Sequence, residues 1–146
     1  MKENEVEILL AEDTPSDAEL TIRALKKSKM ANHITHVEDG LQAVNFLLGE
    51  GEYEGRNTDN KPKVILLDLK MPKLNGIEVL RKIKSDERTK RIPVVVLTSS
   101  KEDPDINTCY DLGASSYIVK PVAFEDFIKV VTNIGMYWLL VNNSSQ

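Results

Sequence analysis

Five positions carry side chains that could act together on phosphorus. Glu12 and Asp13 stand side by side, Asp68 follows an apolar run, Thr98 ends another and Lys120 ends a third. Three carboxylates in one small site repel each other and raise their own pKa values unless a cation compensates them. A divalent ion does so. The acids sum to −3, the metal brings +2 and the Lys120 ammonium +1, which balances. Hard oxygen ligands with open positions suit Mg2+, which keeps waters and can take a phosphoryl oxygen. A carboxylate can itself act as the nucleophile toward phosphorus and form an acyl phosphate. Asp68, central and at the end of a buried run, is placed for that role, with Thr98 able to donate a hydrogen bond to a transferring oxygen. Positioning and charge neutralisation are most of what phosphoryl transfer needs.

Such a set meets only if the chain folds so that strand ends converge. Residues 6–11, 33–37, 63–68, 94–98 and 116–119 read as short strands. Helix-period segments separate them: residues 15–29, a short helix with Leu41, Val44 and Leu48 on one face, a helix placing Ile77, Leu80 and Ile83 inward, one running from Asp103-Pro104 to Gly113, and one from Phe124 to Val141. Thr14, Pro15 and Asp17 form a helix start, with Thr14 as cap and Asp17 closing a capping box. The last helix carries Phe127, Val131, Ile134 and Trp138 on one stripe. Strict strand–helix alternation with continuous apolar strands predicts an α/β fold, a doubly wound five-stranded parallel sheet with helices on both faces. In the flavodoxin-like order 2-1-3-4-5, strands one and three are neighbours. Glu12, Asp13 and Asp68 then share the crevice beyond the strands' carboxyl ends, where open sheets bind ligands.

The set Glu12-Asp13, Asp68 with Met71-Pro72 and Gly76 after it, Thr98-Ser99 and Lys120-Pro121 resembles the receiver domain of two-component response regulators, from about Val6 to Ile134. That resemblance implies a phosphoaspartate at Asp68. It implies Mg2+ held by Asp13, Asp68 and the backbone carbonyl of Lys70, with Glu12 helping through water. It further implies a cis bond before Pro121, and a switch in which Thr98 and the aromatic Tyr117 move with phosphorylation. The 49–62 insertion, Ile92 to Ser100, Tyr110 to Ala114 and Lys120 to Phe124 are similar to single-domain regulators that pair with bacterial phytochrome-type histidine kinases. The implied partner is a histidine kinase or a phosphotransfer protein. The protein would be a stoichiometric phosphoprotein with slow self-hydrolysis, with Lys70 and Ser100 flanking the water's path.

The competing readings fit less well. An aspartate-based phosphatase wants a second acid two residues after its nucleophile, where this chain has Lys70. No G-x-x-x-x-G-K-[ST] motif exists. A flavodoxin would place its flavin phosphate just after the first strand, where two acids stand. Gly49, Gly51 and Gly55 follow a helix and alternate with Glu50, Glu52 and Glu54, which repel phosphate. His33 and His36, three apart on a strand, point to opposite faces and make no metal pair. A receiver-shaped scaffold that binds a partner without phosphorylation is the alternative from another class.

Composition bounds the setting. The chain has 146 residues and a net charge of −4, without the basic balance of a nucleic-acid binder. A single cysteine, Cys109, excludes an intrachain disulfide and a cysteine zinc site. It reads as a small packed residue. Neither a signal peptide nor a run of about 18 apolar residues is visible, so a cytoplasmic address is expected. Residues 1–146 read as one receiver domain with no separate output domain, so output must occur at the receiver's own surface. The apolar run from Met136 to Val141 exceeds what one helix stripe buries, and predicts a homodimer through the C-terminal helix region. Residues 49–62 form a loop long enough to point to a role of its own.

Overall fold

In the computed structural model, residues 7–27 and 33–136 are described. Five strands form one parallel sheet: β1 (Ile8–Ala11), β2 (Ile34–Val37), β3 (Val64–Asp68), β4 (Val94–Thr98) and β5 (Ser116–Val119), in the order β2-β1-β3-β4-β5. The helices between and after them are α1 (Pro15–Leu25), α2 (Gly40–Leu48), α3 (Gly76–Ser85), α4 (Asp105–Asp111) and α5 (Phe124–Asn133). The expected fold class, strand order and number of helices are those observed.

Period-two alternation sorts the strand side chains onto two cores. Leu9, Ile65, Leu67, Val94 and Val96 face α2 and α3. Ile8, Leu10, Leu66, Val95 and Leu97 face α1 and α5, where Phe127 is fully buried. Because both faces are covered, the central strands are apolar throughout and only their ends can carry chemistry. Register aligns those ends: Ala11 pairs with Leu67, Asp68 with Leu97, and Thr98 with Val119.

Several expectations need correction. Thr14 is the N-cap of α1 but its side chain makes no capping bond, so no box forms with Asp17. The reciprocal box lies instead at α3, between Asn75 and Glu78. On α2 the buried face is Ala43, Val44, Phe46 and Leu47, whereas Leu41 is exposed. The last helix stops at Asn133 rather than continuing toward Val141. Gly135 takes a left-handed φ of 83°, and the Met136 amide turns back to the Val131 carbonyl. This is a glycine-terminated helix end. Its buried stripe is Phe127, Val130 and Val131, with Ile134 packed beside them. Trp138 and most of the apolar run expected to form a dimer lie outside the described residues, as does the far end of the segment expected to be helical over 15–29.

The 49–62 segment folds back onto α2 through a single 3-10 turn, Gly51–Tyr53. The Arg56 guanidinium sits 3.9 Å over the Phe46 ring. Its Nε donates to the Phe46 carbonyl at 2.7 Å and its Nη1 to the Asn60 carbonyl at 3.1 Å. Tyr53 meets the same ring edge-on at 5.2 Å.

Candidate functional site

The site is assembled by three strand ends. β1 delivers Glu12 and Asp13 just past its last residue, β3 ends on Asp68, and β5 delivers Lys120 one residue beyond its own. Carboxylate oxygens of Glu12, Asp13 and Asp68 lie within 4.8 Å of one another. Across from them the Lys120 ammonium donates to Asp68 Oδ2 at 3.2 Å, to Glu12 Oε1 at 3.4 Å and to Asp17 Oδ2 at 3.2 Å. The peptide bond between Lys120 and Pro121 is cis.

Glu12 and Asp68 are held in place by backbone donors. Glu12 is fully buried; the Thr14 amide donates to its Oε2 at 3.2 Å. His36 braces its backbone, with Nε2 2.8 Å from the Glu12 carbonyl. A carbonyl only accepts, so Nε2 carries the proton. The Lys70 amide reaches Asp68 Oδ1 at 3.3 Å, which folds the first turn of the β3–α3 loop back over the aspartate. That loop is itself pinned to α2. Lys73, at φ 70°, pairs with Asp39 at 3.5 Å, and the Gly40 amide donates to the Pro72 carbonyl at 3.4 Å.

Electrostatics follow from burial and crowding. Burial first, then the hydrogen bond and charge of Asp68, push the Glu12 carboxyl from 4.5 up to about 7, against the pull of Lys120 and the Thr14 amide. Burial alone would pull Lys120 down. Asp68 and Glu12 outweigh it and raise its pKa, so the group stays a cation. A buried acid whose pKa is lifted this far sits in a site short of positive charge. Three oxygen donors at this spacing, in a crevice reached by solvent through half-buried Asp13, fit a hard divalent cation.

A cavity of about 100 Å3 opens beside Asp68, between Lys70, Thr98, Asp103 and Lys120. The other candidate side chains sit as follows. The Lys70 side chain is exposed. Thr98 is buried, but its hydroxyl bonds to Ser100 and Asp103 and makes no hydrogen bond to Asp68. Tyr117 is half-buried and meets the exposed Tyr110 ring edge-on at 6.4 Å. Three contributors escaped the sequence reading. Asp17 has the spacing to close a capping box yet binds Lys120, Asp103 has the place of a helix start yet binds Thr98, and His36, excluded from a metal pair, braces Glu12. Only tertiary geometry distinguishes these uses.

Residues 8–132 match the response regulator receiver domain family. Response regulator Rcp1 of Synechocystis sp. is 42% identical over 132 residues, 90% of this chain and 88% of that one. Its Mn2+-bound form superposes with a TM-score of 0.75 at 39% identity, covering 97% of this chain and 99% of that one. The bacteriophytochrome response regulator RtBRR gives a TM-score of 0.85 at 44% identity, over 96% of this chain and 84% of that one. The phosphorylated cyanobacterial phytochrome response regulator RcpA gives 0.75 at 40%, over 95% and 97%. The chain belongs to the response regulator receiver domain family, the signalling modules of two-component systems. Among the described residues no helix is long and apolar enough to cross a membrane.

Proposed function

We propose that this protein is a response regulator in which Asp68 accepts a phosphoryl group from a histidine kinase or a phosphotransfer protein. The observation that carries the reading is the gathering of one ammonium and two further carboxylates around Asp68: Lys120 Nζ stands 3.2 Å from its Oδ2 while the acidic cluster stays within 4.8 Å. Asp13 and Asp68, with the Lys70 backbone carbonyl, would hold Mg2+ and Glu12 would help through water, and the ion would supply charge neutralisation for the transferring oxygens. A relative's Mn2+-bound form supports a divalent ion in this position.

In the transfer an Asp68 oxygen attacks phosphorus. A new O–P bond forms as the donor's bond to phosphorus breaks, and the leaving group departs with that electron pair and takes a proton from water. Lys120 neutralises charge that collects on the phosphoryl oxygens. In the reverse sense, water attacks phosphorus and the Asp68 carboxylate leaves, which gives the slow self-hydrolysis of a stoichiometric phosphoprotein. Lys70 and Ser100, both exposed at the rim, flank that path. The names of the relatives support a phytochrome-type kinase as partner.

Signalling then proceeds by protein contact at the receiver's own surface, with Thr98 and Tyr117 as the moving parts, in the cytoplasm and without direct nucleic-acid binding. A homodimer through the C-terminal region belongs to the same proposal; its mass by light scattering, with and without a phosphoryl mimic, tests it. Phosphorylation itself is tested with Mg2+ and acetyl phosphate. Wild type should gain about 80 Da and Asp68→Asn nothing, since the transfer adds one phosphoryl group to one carboxylate. No gain in wild type leaves only a receiver-shaped scaffold.

A further inference from the structure

The Thr98 hydroxyl has one proton to give, and it has two acceptors in reach, neither of them Asp68. Oγ1 lies 3.1 Å from Asp103 Oδ2 and 3.2 Å from the Ser100 carbonyl, and it accepts from the Ser100 amide at 3.3 Å. An ionised carboxylate is the stronger acceptor of the two. The other oxygen of Asp103, Oδ1, takes the Asp105 amide at 2.9 Å. One carboxylate therefore ties the end of β4 to the first residue of α4. It also faces the cavity that Asp68 and Lys120 line. No cation pairs with Asp103 among the described residues, so these donors are what compensate its charge.

We propose that Asp103 is a positioning residue that holds the Thr98 hydroxyl away from Asp68, and so sets how readily the site accepts a phosphoryl group. The proposal rests on Asp68 as phosphoacceptor. A phosphoryl group there brings anionic oxygens that compete for the Thr98 proton. Asp103 must surrender that proton before Thr98 can turn, and its own charge works against the incoming group across the same cavity. Once the hydroxyl leaves, Asp103 Oδ2 loses a donor and the link from β4 to α4 is broken at its middle.

The test measures affinity for beryllofluoride, a phosphoryl mimic, with saturating Mg2+ by calorimetry, and the rate of phosphorylation by acetyl phosphate from intact mass. Asp103→Asn replaces a charged acceptor with a neutral one at a half-exposed position. It should tighten beryllofluoride binding and speed phosphorylation by about threefold to tenfold. Asp103→Ser, which keeps a side-chain oxygen for the Asp105 amide, should show the same gain. This guards against a fault in α4 folding. The decisive arm repeats the change in a Thr98→Val background. There the gain should shrink to the smaller part that comes from the lost charge alone, because no hydroxyl remains to be released. A gain of equal size in that background, or a change below twofold in both single variants, overturns the role of Asp103 while leaving Asp68 as the acceptor. Failure of wild type to take up either ligand overturns both.

Discussion

Glu12 should make divalent binding depend on pH near neutrality. Its carboxyl is buried against Asp68 and titrates at about 7, whereas an ordinary glutamate titrates at 4.5. The ion competes with that proton, since a carboxylate in its shell of waters and ligands favours it only when ionised. With a pKa of about 7, Glu12 is roughly three quarters ionised near pH 7.5 and about a tenth ionised at pH 6, so Mg2+ affinity should fall about eightfold between them. With an ordinary glutamate the change would be negligible. Calorimetric titration in two buffers of different ionisation enthalpy reads both the affinity and the proton released, about 0.9 per Mg2+ at pH 6. Glu12→Gln removes the titrating group, and any background titration common to both proteins cancels. A wild-type change below twofold with no proton release, or an equal slope in Glu12→Gln, would refute the reasoning.

The same proton governs stability. The folded protein holds it more tightly than the unfolded chain from pH 4.5 to about 7, so the metal-free protein should lose stability as pH rises through that window. The slope reaches at most about 1.4 kcal/mol per pH unit. Thermal unfolding should show a larger Mg2+-induced rise in Tm at pH 8 than at pH 6. Gly40→Ala would put a methyl group onto the Leu74 carbonyl, where α2 meets the β3–α3 loop. Urea unfolding should report a loss of about 2–4 kcal/mol, because backbone rather than a flexible side chain must move. Asn75→Ala removes the α3 capping box and should cost about 1 kcal/mol, largely recovered by Asn75→Ser. Cys109 is buried, and burial pushes its thiol up to about 11. Alkylation at pH 8 should be negligible in the folded protein and complete after unfolding, followed by mass.

Much of the fold could be read from the chain because a covered parallel sheet leaves a plain signature. Runs such as Val94-Val95-Val96-Leu97 are apolar on both faces, and polar residues can appear only where a strand ends. Glu12, Asp13, Asp68 and Lys120 stood out for that reason, and strand order then brings them together. Local pattern failed where two structures compete for one residue. Asp17 satisfies the spacing of a capping box, yet tertiary charge from Lys120 claims it. Leu41 shares a helical face with Val44 by spacing, but the packing of α2 against α3 favours Ala43 and Leu47. Gly135 stands inside an apolar run whose periodicity continues through it, and its left-handed backbone closes α5 there. The direction of the Thr98 hydroxyl could not be seen at all, because it depends on which acceptor the β4–α4 turn presents.

The Arg56 brace bears on how this chain could change length. The arginine is seated on an aromatic ring of α2 and holds carbonyls at both ends of its reach, Phe46 on the helix and Asn60 in the excursion, so one side chain fastens the segment to its helix. Trimming that segment a residue at a time would uncover the ring before it shortened the path to β3. Transplanting it to a shorter receiver would require the ring to travel with it. Shortening this junction without losing order should therefore require the excursion and its seat on Phe46 to be removed together.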